Sequence, residues 1–159
     1  MVVVRFLYLL AVGVWVGSIC FFSFVAAPTA FRVLPREEAG KAVGAMFPKY
    51  YGLGVICGVV ALATGVFAVG LGEWVGRAAL LRLILLGLML AGTLYAGYVL
   101  LPKAEGVQQQ IAALGSPPPE DHPLRVRFAQ LHRRSVQLNA GVLVLGLAVV
   151  LLTARTVPS

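Results

Sequence analysis

Residues 78–101 read AALLRLILLGLMLAGTLYAGYVLL, 24 residues in which Arg82 is the only charge. A helix rises ~1.5 Å per residue, so this run covers about 36 Å and exceeds the ~30 Å hydrocarbon layer of a bilayer. Three further runs have the same character, at 6–27, 51–71 and 136–153. They are continuously apolar, without the period-2 alternation of a barrel strand, and in lipid every backbone polar group must be satisfied within its own segment. The expected fold is therefore all-α: an integral membrane four-transmembrane-helix bundle forming a single membrane domain over 1–159.

Composition points the same way. A chain of 159 residues with 60% hydrophobic and 12% charged residues and a mean hydropathy of +0.92 carries more apolar surface than a soluble core of its size can hide. The net charge of +7 is spread over short loops and not over a separate basic module, so the expected partner is the lipid bilayer with its anionic headgroups, and no nucleic acid. Nine of the thirteen Lys and Arg residues fall in two loops: Arg32, Arg36, Lys41 and Lys49 in loop one, and Lys103, Arg125, Arg127, Arg133 and Arg134 in loop three. Arg5, Arg77, Arg82 and Arg155 lie toward the other side, so the positive-inside rule places loops one and three in the cytoplasm and both termini outside. The N-terminal MVVVR and the later VAAPTA have the look of a secretory signal, but the apolar run is longer than the ~7–15 residues of a signal core, so it is read as a span. Cys20 and Cys57 both lie in spans, with neither CxxC nor CxxCH spacing, and are read as small buried hydrophobes.

Prolines divide the chain. Pro28 is expected to end or bend the first helix, and Pro35, followed by Glu37, Glu38 and Lys41, starts a short interfacial helix over 35–47 that Pro48 closes. Tyr50 and Tyr51 then fall at the aromatic belt. The 72–77 connection, GEWVGR, makes spans two and three antiparallel neighbours, with Trp74 at the outer headgroup level. Residues 102–135 form a cytoplasmic helical hairpin that turns at GSPPPED, and from Pro123 one helix of about 30 residues runs into the last span. The pairs Gly13 with Gly17 and Gly54 with Gly58, and the series Gly87, Gly92, Gly97, supply close helix contacts within a bundle or in a homo-oligomer.

Polar residues collect at the start of span four. At 100° per residue, Arg125, Phe128, His132, Ser135 and Asn139 share one stripe, which is expected to face protein. An unpaired amide in hydrocarbon costs on the order of a few kcal/mol, so Asn139 needs a partner, with Tyr95, Tyr98, Thr93, Thr64 and Ser23 as candidates. His132 is a weak candidate ligand for a metal or haem, with Cys20 and Cys57 as weak companions, but no paired carboxylates accompany it and no resident cofactor is expected. Arg82 is an intramembrane charge whose long stem is expected to snorkel outward or to pair with Glu73. The chain has no Walker loop, GxSxG elbow or HExxH, and Asp121 is its only aspartate, so it is not read as an enzyme.

Three segments occur in order: APTAFRVLP (27–35), AMFPKYY (45–51) and LRVRFAQLHRRSVQLN (124–139). Together they resemble the transmembrane protein 205-like family of small four-span proteins, and the Phe128, His132, Ser135, Asn139 spacing is the most specific part. The resemblance implies a four-helix membrane fold. Because the animal member is associated with resistance to platinum drugs, it also implies export or trafficking of soft-metal or lipophilic compounds.

Three functions compete at this level. The leading one is transport of a small solute, soft metal or lipophilic compound by an oligomer that uses the polar face of span four. The second is a non-transporting interaction or scaffold protein that docks a partner or anionic lipid through its basic loops. The third is a haem- or metal-binding membrane redox protein with His132 as ligand.

Overall fold

Prolines set where these helices depart from regularity, and in lipid the departures must be absorbed within the helices themselves. The computed structural model describes residues 1–116 and 118–155. Helix α1 (Val2–Phe21) passes through a five-residue π turn, Phe22–Ala26, into α2 (Ala27–Val33). Helix α3 (Arg36–Gly70) follows, then α4 (Gly76–Tyr95), a second π turn at Ala96–Leu100, α5 (Leu101–Ala112) and α6 (Pro123–Ala154). The two π turns are built alike. Ala27 N–H donates to the Phe22 carbonyl and Leu101 N–H to the Ala96 carbonyl, each five residues back, and each is followed at once by a proline, Pro28 or Pro102. One extra residue in the turn places the missing N–H and the bulky ring at a seam in the hydrogen-bond ladder, so the helix continues past each proline.

Pro48 behaves differently from the sequence expectation. It does not close an interfacial helix over 35–47; α3 runs unbroken through it, so that helix and span two are one element of 35 residues. Ala39 and Val43 before the proline and Tyr51 after it are all buried, and packing on both sides holds the helix across the one lost hydrogen bond. The amino end is set by Pro35, whose carbonyl accepts from Ala39 N–H at 2.9 Å, and by Glu37 and Glu38 in the first turn.

Among the described residues there is no strand, and four helical tracks are long and apolar enough to cross a membrane: Val2–Val33, Arg36–Gly70, Gly76–Ala112 and Pro123–Ala154. They pack in a ring, α1 against α3, α3 against α4, α4 against α6, with α6 closing onto α1. Inside the ring lie Tyr8, Trp15 and Ile19 of α1, Cys57 and Ala61 of α3, Leu86 and Met89 of α4, and Val142 and Val149 of α6. Trp15, 1% exposed, is the largest of them and fills the middle.

Glycine makes room for it. A Cβ at Gly58 would lie 2.8 Å from Trp15 Cη2 and 2.9 Å from Leu90 Cδ1, and one at Gly54 would lie 3.1 Å from Trp15 Nε1. The Gly54/Gly58 pair therefore receives an indole ring, which explains why α1 and α3 lie so close there. Gly146 of α6 does the same for Val16, at 2.7 Å from its Cγ2. Gly13, Gly17 and Gly87 have nothing within 4 Å of such an atom.

Replacing Gly58 by Val should therefore force Trp15 and Leu90 out of place and destabilise the bundle by about 1–3 kcal/mol. The check is the melting temperature of detergent-solubilised protein, with Gly87→Ala as the paired variant that keeps or raises it.

Candidate functional site

The site is a layer where the two π turns and Pro48 of α3 coincide. Asn139, on α6, reaches two consecutive tyrosines of α3: Tyr50 donates its hydroxyl hydrogen to Asn139 Oδ1, and Asn139 Nδ2 donates to the Tyr51 hydroxyl, each at 3.4 Å. Both phenols are fixed by rings. Phe22, from the first π turn, stacks on Tyr50 at 4.8 Å and tilts against Phe47 at 5.1 Å; Phe47 stacks on Tyr51 at 5.9 Å; Tyr50 and Tyr51 meet edge to face at 5.0 Å. Gly97, in the second π turn, backs the cluster, since a Cβ there would lie 2.9 Å from Tyr51 Cβ. The first π turn, the proline of α3, the second π turn and the amide of α6 thus share one level of the bundle.

Tyr50 and Tyr51 are the partners that sequence reasoning missed. Their position beside Pro48 marked them as interfacial anchors, and only the continuation of α3 through that proline turns them inward. The expected partners lie elsewhere. Tyr95 and Tyr98 are 49% and 67% exposed. Thr64 donates to the Val60 carbonyl of its own helix at 2.6 Å, and Ser23 is exposed. Thr93 is buried against the position of Gly54.

The stripe on α6 is likewise only partly turned inward. Asn139 meets α3, Ser135 is half-buried, and Phe128 packs on the hairpin core of Leu100, Val107 and Leu131. Arg125 is half-buried, but His132 is exposed, lying parallel to the Phe128 ring at a centroid distance of 6.5 Å. The side of α6 that faces the bundle follows Leu131, Leu138 and Val142, offset from the polar stripe, because burial is decided by the apolar residues. His122 takes a capping position, its Nδ1 accepting from Leu124 N–H at 3.3 Å. Among the described residues no three His, Cys, Asp or Glu side chains gather at one point; Cys57 is buried in the core and Cys20 packs at its edge.

Beside the tyrosines, Pro48, Tyr51, Gly52, Gly97, Tyr98 and Leu101 line a crevice of about 130 Å³ between α3 and the α4–α5 track. At the opposite end of the bundle, Arg82 is 2% exposed and does not snorkel: its guanidinium carbon lies 4.6 Å from the centroid of the Trp74 ring. Glu73, its expected partner, is ion-paired with Arg5.

The amide layer offers hydrogen bonding and aromatic contact. At 3.4 Å its bonds are long, so each is worth little, and the layer acts chiefly by fixing the register of α6 on α3. Asn139→Leu should cost about 0.6 kcal/mol, the average for polar contacts between membrane helices, and Tyr50→Phe with Tyr51→Phe should reproduce that loss without adding to it in the triple variant. Reversible unfolding in mixed detergent micelles checks both.

Comparison with known proteins adds a family. The model for a family described as Domain of unknown function (DUF4149) matches residues 10–113, which takes in most of α1 and all of α2 to α5. An uncharacterised protein of Aquifex aeolicus (strain VF5) is 32% identical over 147 residues, 92% of this chain and 92% of the relative. No solved structure matches. The chain is a four-span member of the DUF4149 family of unknown function.

Proposed function

We propose that the protein is a membrane-embedded docking protein: the bundle is the anchor, and the α5–α6 hairpin is a basic platform held out from it on the cytoplasmic side. The observation that carries this reading is the build of the hairpin. Leu100, Val107 and Leu131 are buried along the seam between its arms, with Ala104, Ile111, Leu124 and Phe128 packed around them, while Arg127, Arg133 and Arg134 stay exposed. Helix α6 has 32 residues, about 48 Å at the standard rise, against ~30 Å of hydrocarbon, so about a third of it stands clear.

Distance divides the charges. With the last span starting near Val136, Arg133 and Arg134 lie within about 5 Å of it along the axis and suit the anionic headgroups of their own leaflet. Arg125 and Arg127 lie about 14–17 Å out, beyond the ~8 Å over which physiological salt screens a charge, and suit an acidic partner surface. Nine of thirteen basic residues at this end support placing it in the cytoplasm, with both termini outside. The reading requires no enzymatic step and no cofactor.

Transport is the second reading, and the crevice favours it. The middle of the bundle is filled by Trp15, Leu86, Met89 and Val149, so a route along the axis of one copy would have to displace them. The crevice by Tyr98 lies between helices, and suits a lipophilic compound arriving from the bilayer, in keeping with the resemblance to the transmembrane protein 205-like family.

Protein in zwitterionic nanodiscs should bind vesicles containing phosphatidylglycerol, which present an acidic surface, and lose them as salt is raised. Reversing Arg125 and Arg127 to Glu should weaken capture by at least about tenfold, at ~1 kcal/mol per basic residue, while Asn139→Leu leaves it intact. Capture unaffected by the reversals would sink the docking reading, and solute flux in proteoliposomes would replace it with transport.

A further inference from the structure

At the end of the bundle away from the hairpin, the short α3–α4 connection does more than reverse the chain. Gly72 and Gly76, with φ of +72° and +76°, bracket its Glu73, Trp74 and Val75. Glycine takes this left-handed geometry without strain, which lets the chain turn sharply at both ends of the segment. Between them the chain is folded back, with Glu73 N–H and Trp74 N–H both donating to the Ala68 carbonyl, at 3.0 and 3.3 Å. The indole enters a slot. Tyr8 meets it edge-on at 4.7 Å, and Gly65 leaves the space, since a Cβ there would lie 3.2 Å from Trp74 Cζ3. Arg82 lies against the same ring at 4.6 Å and is 2% exposed.

One contact ties the segment to another helix by charge. Glu73 is ion-paired with Arg5 of α1, and the two side chains keep 28% and 58% of their surface exposed. An ion pair this wet is weak and salt-sensitive, which suits a contact that opens and closes. Beneath the ring, the Tyr8 and Thr153 hydroxyls lie 3.3 Å apart and tie α1 to α6.

We propose that the Gly72–Gly76 segment is a hinged lid, with Trp74 as its cover over the Arg82 guanidinium and the Arg5–Glu73 ion pair as its latch. Closed, the lid gives a membrane-embedded cation the face of an indole in place of water. Open, it brings that cation into contact with the aqueous phase on the side opposite the hairpin. The inference is independent of the docking reading, because it concerns the other end of the molecule.

Arginine-selective modification tests it. Full-length protein in lipid nanodiscs is treated with phenylglyoxal at low ionic strength, and adducts are located by peptide mass spectrometry, with exposed Arg77 and Arg155 as internal references. In the wild-type protein Arg82 should react far more slowly than either. Glu73→Gln and Arg5→Gln should each speed Arg82 by up to about fivefold, the worth of an exposed ion pair, without changing Arg77. The exchanged pair Arg5→Glu with Glu73→Arg should restore the wild-type rate, and Trp74→Ala, which removes the cover, should give the fastest reaction. Three results would overturn the proposal: Arg82 reacting as fast as Arg77 in the wild type, latch variants with unchanged Arg82 rates, or a faster rate matched by equal loss of amide protection around Trp15, which would mean general loosening.

Discussion

Helices already dissolved in lipid gain no hydrophobic free energy by meeting, so this bundle depends on how closely its backbones can approach. The Trp15 indole seated on Gly54 and Gly58 is the contact that sets that approach. A large rigid ring opposite two missing side chains converts an otherwise open groove into dense van der Waals contact, and the same device recurs where Gly146 receives Val16 and Gly97 receives Tyr51. Close contact between α1 and α3 and between α6 and α1 closes the ring of helices, and the closed ring is what brings polar groups of distant sequence together at its two ends.

Those ends are built on different principles. Toward the hairpin, prolines dominate: Pro28 and Pro102 each follow a π turn, and Pro48 sits inside α3, so three of the four tracks are perturbed near one level. A perturbed ladder loosens the strict alignment of side chains, and the Tyr50, Asn139 and Tyr51 contacts re-establish it there. At the other end a short glycine-bracketed turn joins α3 to α4 and charge dominates, with Arg5, Glu73 and Arg82 arranged around Tyr8 and Trp74. Between the two lies an apolar core of side chains from all four tracks.

That division supports reading the molecule as an anchor with two working surfaces. In that reading the hairpin projects because the last helix is longer than the bilayer is thick, and its arms stay together through an apolar seam of their own. Positive charge is left on its outside for the same reason that it is left on any membrane-proximal segment: burial of a guanidinium without a partner is costly, while headgroups and acidic surfaces reward its exposure.

The amino-acid sequence by itself determined the membrane location, the four crossings and their antiparallel order, because run length and apolarity act locally and need no knowledge of neighbours. It also marked Asn139 as needing a partner, since desolvation cost belongs to the residue alone. What it left open were the pairings. Tyr95 and Tyr98 share Asn139's expected depth, but they turn outward, while Tyr50 and Tyr51 turn inward only because α3 continues through Pro48. Glu73 is close enough in sequence to pair with Arg82, but α1 brings Arg5 to it, and the Trp74 ring lies over the buried guanidinium. Local sequence sets what each helix is and what each polar group requires; which face meets which neighbour was decided by tertiary packing, because rotation and close approach depend on glycines and rings contributed by different helices.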